Sequence, residues 1–149
     1  MEEKAGEVFS IAKDNMPVPG CTISKEVHGG ENGIIYFSLA ENTDISAEIF
    51  PYHKLLIVAE GSLEVYGTNG YRKVLHAGDS VLTSTDIPIG MKTDTGAVYT
   101  EIEIRRSDIM NEAIKAGEVF RLAELVPYAE GQIVNMDVVH NDKMKFVVM

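Results

Sequence analysis

Short stretches of alternating apolar and polar residues run through the middle of the chain, with turn-forming residues between them. After the apolar run at residues 55–59, the segment SLEVYG places Leu63 and Val65 on one face of a strand and Glu64 and Tyr66 on the other. The segments YRKVL, DSVLT and AVYTEIEI follow at short intervals, bounded by Gly, Asn and Asp residues. This spacing predicts an all-β sandwich or barrel.

The segment SDIMNEAIKAG, residues 107–117, differs from its neighbours because its apolar residues recur with helical spacing. Ser107 suits the N-cap of a helix, Asp108 suits the positive end of the helix dipole, and Gly117 suits the residue after the C-cap. We therefore predict one short helix here, which acts as a linker after a barrel formed by residues 1–106.

The hexapeptide KAGEVF occurs twice, at residues 4–9 and 115–120, an offset of 111 residues. Weaker matches continue at the same offset, among them Gly20 with Gly131 and Val27 with Val138. The repetition predicts a tandem duplication in which residues 118–149 form a partial second repeat with a pair of extra strands. Two interpretations stay open. Either the chain is part of a longer two-domain protein, or these strands pair with the barrel or with a partner chain.

The charge and the single cysteine narrow the range of partners and compartments. A net charge of −10 opposes binding to nucleic acid or to an anionic membrane surface, so neither is expected as a partner. The opening residues MEEKAGEVFS lack the apolar core of a secretory signal, and no apolar run is long enough to span a bilayer. Cys21 has no second cysteine with which to form a disulfide. Together these features predict a cytoplasmic protein.

From Ile34 to Ile104 the order of strands and turns resembles the cupin superfamily, whose members form a small RmlC-like jelly-roll β-barrel. The first cupin motif ends in a glutamate, six residues and a glycine, and Lys54 and Gly61 occupy that frame. VAEGSLEV then resembles the strand, tight turn and strand of the family. The second motif begins with a glycine, and AGD followed by VLTSTDIP resembles it. The resemblance implies a cupin barrel, and the internal repeat suggests the N-terminal half of a two-cupin protein.

The resemblance also places the metal ligands of cupins, three histidines and a glutamate, on this chain. They fall at Glu48, Phe50, Lys54 and Ile89. Phe50 and Ile89 have no donor atom and Lys54 is a cation, so this set does not suit a divalent metal ion. Strand alternation puts His53 on the face opposite Lys54. We therefore expect a metal-free domain without a cofactor.

The same frame implies a small pocket at the open end of the barrel, mostly apolar, with one carboxylate and one ammonium group. Its predicted lining is Glu48, Phe50, Lys54, Leu56, Val58, Ile89 and Met91. We expect the pocket to bind a small organic or sugar acid, whose carboxylate would contact Lys54.

Two alternatives for the function stay open, and so does the question whether the protein is an enzyme. The pocket would suit a metal-independent isomerase, epimerase or lyase acting on a sugar derivative, because a buried lysine and carboxylate can exchange protons. The domain would instead be structural if Glu48 and Lys54 form an ion pair in place of the metal. Cupins commonly add or exchange edge strands, so the segments QIVNMDVV and KFVVM also predict a homodimer.

Overall fold

A computed structural model describes residues 3–149 of the chain as an almost entirely β-stranded protein. It has one α-helix of four residues and one 3-10 helix, here called η1. In chain order the elements are α1 (Ile11–Asp14), β1 (Thr22–His28), β2 (Ile34–Leu39), β3 (Thr43–Glu48), β4 (His53–Gly67), β5 (Arg72–His76), β6 (Asp79–Leu82), β7 (Ile89–Thr93), β8 (Ala97–Ile104), β9 (Ile109–Met110), β10 (Val119–Arg121), η1 (Leu122–Glu124), β11 (Met136–His140) and β12 (Lys145–Val148).

The barrel consists of two layers that share the long strand β4. One layer has the strand order β1-β2-β8-β4-β6-β10, and the other contains β3, β7 and β5, with β7 and β5 both paired to β4. The predicted tight turn within VAEGSLEV is wrong, because β4 continues through it. The register to β8 instead shifts between Val58 and Glu60, and Gly61 follows with a φ of 80°. This bulge bends the strand from one layer into the other.

Two apolar clusters lie on opposite faces of the first layer. Inside the barrel, Leu56 and Val58 of β4 pack with side chains of β6, β7 and β8. Outside it, Leu55 of β4 packs with Ile102 and Ile104 of β8 and with residues of the C-terminal strands. Because β4 is covered on both faces, consecutive residues are buried, which explains the unbroken apolar run at residues 55–58. The predicted all-β jelly-roll class is confirmed.

The helix predicted over residues 107–117 is wrong, because this segment forms turns and the short strand β9. The carboxylate of Asp108 accepts hydrogen bonds from the amides of Asn32 and Asn141 instead of capping a helix. The backbone N–H of Asn111 donates to the carbonyl of Val138, so the segment is tied to β11.

The α-helix lies near the N-terminus, where Ser10 caps α1. None of the helices in residues 3–149 is long and apolar enough to cross a membrane.

The residues after β9 cover the outside of the barrel. Strand β10 pairs antiparallel with β6 at the edge of the first layer. Strands β11 and β12 form a hairpin, and together with β9 they make a three-stranded sheet with β12 at its edge. Val138 and Val139 of β11 are fully buried in the outer apolar cluster. Part of this segment therefore pairs with the barrel, whereas pairing with a partner chain stays a prediction.

Candidate functional site

A buried ion pair lies inside the barrel, near the end at which β4 begins. Lys54 Nζ is 3.4 Å from Glu101 Oε1, and the two side chains are only 10 % and 9 % exposed. The register between β4 and β8 sets Leu56 opposite Glu101 and Val58 opposite Tyr99. Because Leu56, Val58 and Tyr99 belong to the inner apolar cluster, alternation directs Lys54 and Glu101 to the same inner face.

Two aromatic residues cover this ion pair at the mouth of the barrel. Lys54 Nζ lies 3.7 Å from the centroid of the Phe50 ring, close enough for a cation–π interaction. The ring of Phe50 packs against that of Tyr52, with 5.4 Å between the centroids. Burial raises the pKa of Tyr52, and the carboxylates of Glu103, Glu101 and Glu48 raise it further. The mouth therefore combines an aromatic cover with a concentration of negative charge.

Two oxygen atoms at this site, one of them in the ion pair itself, are buried, and neither has a hydrogen-bond partner among residues 3–149. They are Glu101 Oε2 and Tyr99 Oη. Tyr99 lies two residues before Glu101 on β8, and its ring stacks on that of Phe37 with centroids 5.2 Å apart. Buried polar atoms of folded proteins are nearly always hydrogen-bonded. A small polar molecule bound inside the barrel would supply the missing partners.

The protonation of this site is governed by its burial. Burial raises the pKa of the Glu101 carboxyl above its ordinary value; the charge and hydrogen bond of Lys54 oppose that rise, and Glu103 adds to it. Burial also raises the pKa of the Tyr99 hydroxyl well above 10, with a smaller contribution from Glu101. Tyr99 is therefore a neutral donor and acceptor at physiological pH, and Glu101 takes up a proton more readily than an exposed glutamate.

The structure brings most of the predicted pocket residues to the barrel interior or its mouth. Lys54 is buried and Phe50 contacts it. Four more lie in the inner apolar cluster: Leu56, Val58, Ile89 and Met91. Whether these residues bind a ligand stays a prediction.

The predicted pairing of Lys54 with Glu48 is wrong, because Glu48 is exposed and Lys54 contacts Glu101 instead. Along β3, half-buried residues alternate with exposed ones from Thr43 onward, and this alternation leaves Glu48 on the exposed side. Glu101 is absent from the predicted lining, and Tyr99, which the sequence places in the pocket only if its side chain faces inward, does face inward. The unbroken apolar run of β4 is a signal for Glu101 and Tyr99. It indicates a strand buried on both faces, and the neighbouring strand β8 must then be buried as well.

The side chains at the cupin ligand positions do not fit a divalent metal ion. Phe50 and Ile89 offer no donor atom, and the ammonium of Lys54 would repel a cation from the centre of the site. His53 lies on the opposite face of β4, where its Nδ1 is hydrogen-bonded to the carbonyl of Thr83. Across the described part of the chain, no group of three His, Cys, Asp or Glu side chains is placed to hold a metal ion.

Comparison with known proteins identifies the fold. No protein-family model and no curated protein matches the chain. A cupin 2 conserved barrel domain protein from Leptotrichia buccalis is 22 % identical, with a TM-score of 0.70, over 86 % of this chain and 56 % of its own length. A cupin superfamily protein from Desulfitobacterium hafniense is 12 % identical, with a TM-score of 0.64, over 70 % of this chain and 96 % of its own.

A conserved protein of unknown function from Streptococcus pyogenes is also similar, at 15 % identity and a TM-score of 0.65, over 72 % of this chain and 94 % of its own. At these identities the similarity concerns the fold. The chain therefore has the cupin fold, as the resemblance of its motifs predicted.

Proposed function

We propose that this cupin domain binds a small organic or sugar acid inside its barrel, without a metal ion, at Lys54, Glu101 and Tyr99. The observation that carries the proposal is the pair of buried, unpartnered oxygens, Glu101 Oε2 and Tyr99 Oη, beside a buried ammonium group. A hydroxyl group of the ligand would donate to Glu101, and its carboxylate would accept hydrogen bonds from Lys54 and Tyr99.

Each part of the site has a separate role in this proposal. The apolar wall, which includes Leu56, Val58 and Met91, would contact the carbon skeleton of the ligand. The carboxylate of the ligand would take the place of the Phe50 ring on Lys54 Nζ, so Phe50 would have to move aside when a ligand enters. Because the ligand brings a second carboxylate close to Glu101, binding would favour the protonated form of Glu101. The affinity for acids should therefore increase as the pH falls toward the ordinary pKa of a glutamate.

A metal-independent isomerase, epimerase or lyase acting on a sugar derivative is the second candidate. It is favoured by the raised pKa of the Glu101 carboxyl beside a buried ammonium group. In its ionised form, the Glu101 carboxylate can take a proton from a carbon next to a carbonyl and then return it, while Lys54 and Tyr99 stabilise the negative charge that develops on the carbonyl oxygen. Lys54 and Glu101 would then act as an acid–base pair rather than as a fixed ion pair.

Thermal unfolding in the presence of gluconate, galacturonate or malate tests the binding proposal, with uncharged galactose as a comparison. A ligand at one hundred times its Kd stabilises the folded state by about 2.7 kcal/mol, which is measurable as a rise in Tm. The double variant Lys54→Met/Glu101→Gln should lose this rise. It removes both charges together and so avoids leaving one of them buried and unpaired. Lys92→Met is the matched control, because Lys92 is an exposed lysine that also lies near an aromatic ring, that of Tyr66.

The outcomes separate the candidate functions. A rise in Tm with an acid, lost in the double variant and kept in Lys92→Met, supports binding at this site. Conversion of the acid, followed by NMR, supports the isomerase, epimerase or lyase. If none of the acids stabilises the wild-type protein, or if the double variant responds as strongly as wild type, the binding proposal is wrong and a structural or assembly role is favoured.

A further inference from the structure

The two copies of the hexapeptide KAGEVF form the same turn. In the first, the backbone N–H of Glu7 donates to the carbonyl of Lys4 at 3.1 Å, and in the second that of Glu118 donates to Lys115 at 3.2 Å. Gly6 has a φ of 82°, and its counterpart 111 residues later, Gly117, has a φ of 85°. Each copy leads through an extended residue into a short helix, α1 or η1.

The same offset relates the backbone of the segments that follow. Gly20 and Gly131 have φ values of 74° and 72°, each within a turn closed by a backbone hydrogen bond. A hairpin comes next in both copies, β1–β2 in the first and β11–β12 in the second. The bulge in β1 lies between Glu26 and His28, and that in β11 lies between Asp137 and Val139, again 111 residues apart. The two segments are therefore built alike well beyond the identical residues.

Their surroundings differ at the start of each copy. In the second copy, residues 119–121 are strand β10, which pairs with β6, and Arg121 forms an ion pair with Asp79 at 2.8 Å. In the first copy the corresponding residues 8–10 pair with no strand in the described part of the chain. The side chain of Val8 is fully exposed and that of Phe9 is 48 % exposed. A segment with the sequence and geometry of a docked strand is thus left on the surface.

The first copy cannot use the edge of its own β6. Glu3 is held at 2.7 Å by Lys25 of β1, at the far side of the same layer. In this structure strands β2, β8 and β4 lie between β1 and β6. The edge of β6 is also already covered by β10. Any β6-type edge that accepts residues 8–10 must therefore belong to another barrel.

We propose that residues 4–10 are a docking strand for a second cupin barrel, bound at the edge of its β6-type strand as β10 is bound to β6. The register of β10 predicts that Val8, Phe9 and Ser10 would lie opposite the residues that correspond to Val81, Ser80 and Asp79. A second edge fits the same partner. Strand β12 corresponds to β2, whose outer edge pairs with β8, whereas the outer edge of β12 is unpaired within residues 3–149.

The proposal is tested by giving the N-terminal segment a free β6 edge. The full chain with Val119→Pro and Arg121→Asp loses the N–H of residue 119 and sets a like charge against Asp79, which should release β10. Both substituted residues are exposed, so the apolar clusters are kept. A fluorescein-labelled peptide of residues 3–15 is then titrated with this variant and with wild type, and its fluorescence anisotropy is measured. A peptide carrying Val8→Pro is the control probe.

We expect the peptide to bind the variant at least ten-fold more tightly than it binds wild type, and the control peptide to lose this preference. Equal binding to both proteins would mean that the segment recognises another surface, and it would overturn the proposal. Failure to bind the variant, or equal binding of the control peptide, would overturn it as well. If the double variant does not fold, as judged by circular dichroism, Arg121→Asp alone is used, with the same expected preference.

Discussion

Glu101 is a carboxyl group held inside an apolar barrel, and its titration should influence the stability of the whole domain. Because burial raises its pKa, the folded chain binds this proton more tightly than the unfolded chain does. The stabilisation is complete below the ordinary pKa of glutamate and is lost as the pH rises through the raised, folded-state value. The variant Glu101→Gln lacks this titration. Wild type should therefore lose stability relative to Glu101→Gln as the pH rises from 4.5 toward neutral.

Urea unfolding of both proteins across this pH range measures the effect. Glu60→Gln is the control, because Glu60 is an exposed glutamate of the same barrel. If the difference between wild type and Glu101→Gln were constant across the range, or increased in the opposite direction, Glu101 would not be the buried, proton-binding group described above.

At this site the sequence predicts one half of the ion pair. The spacing between Lys54 and Gly61 predicts that Lys54 faces the barrel interior. This spacing is local in sequence, and Lys54 is buried in the structure. Its partner Glu101 is not predicted, because Tyr99, Glu101 and Glu103 alternate with mostly apolar residues along β8, in the way typical of a strand with one side in solvent. Only the C-terminal strands, which cover the opposite face of β8, show that this polar row points inward. That cover depends on contacts between residues far apart in sequence.

At the scale of elements, a polar cluster fastens the C-terminal hairpin to the barrel. Asp108 accepts hydrogen bonds from the side-chain amides of Asn32 and Asn141 and from the backbone N–H of Arg105. Burial alone would raise the pKa of Asp108, but these hydrogen bonds lower it overall. The stabilisation is therefore present near neutral pH and is lost as the pH falls through the lowered value.

The variant Asp108→Ala should lower the free energy of unfolding at pH 7 by about 2 kcal/mol, since hydrogen bonds to a charged group are lost and two amides lose a partner. Asp86→Ala is the control, because Asp86 is an exposed aspartate whose ion pair with Arg106 should contribute about 0.5 kcal/mol or less. Urea unfolding at pH 7 measures both. If Asp108→Ala and Asp86→Ala lowered the free energy of unfolding equally, the cluster would not fasten the hairpin to the barrel.

The same cluster explains why the element prediction failed at residues 107–117. Ser107 and Asp108 favour the start of a helix, and Gly117 favours its end. Local propensity is nevertheless a weak guide where long-range hydrogen-bond partners favour another conformation. Asp108 is occupied by Asn32 and Asn141, which lie 76 and 33 residues away. The strands were easier to predict, because the alternation that marks them is also the pattern by which they pack.

At the scale of the whole molecule, the fold is set by which sheet edges are covered. The barrel closes the edges of its central strands, and β10 covers β6. The sequence predicts this architecture because the spacing of the motifs and the order of the strands can be read directly from the residues. It names QIVNMDVV and KFVVM as candidate edge strands but does not separate the covered one from the open one, since that depends on how the C-terminal strands fold back. The structure shows one such edge at β12 in residues 3–149, lined by the apolar segment KFVV.

An open apolar edge is a site for pairing with another chain. In the purified protein, where only copies of this chain are present, we expect β12 to pair with β12 of a second copy about a two-fold axis. Light scattering at micromolar concentration should then give twice the 16.4 kDa of one chain. The variant Val147→Lys should be monomeric. Alternation turns Val147 away from the face on which Phe146 and Val148 pack against the barrel, and the axis would bring the two lysines close together.

The control for this dimer is Val18→Lys, which adds the same charge at an exposed loop valine and should leave the mass unchanged. A monomeric wild type would contradict the prediction, and so would a dimer that persists in Val147→Lys. A dimer lost equally in both variants would point to the added charge rather than to the strand edge. The dimer therefore forms through the β12 edge only if Val147→Lys separates the two copies and Val18→Lys does not.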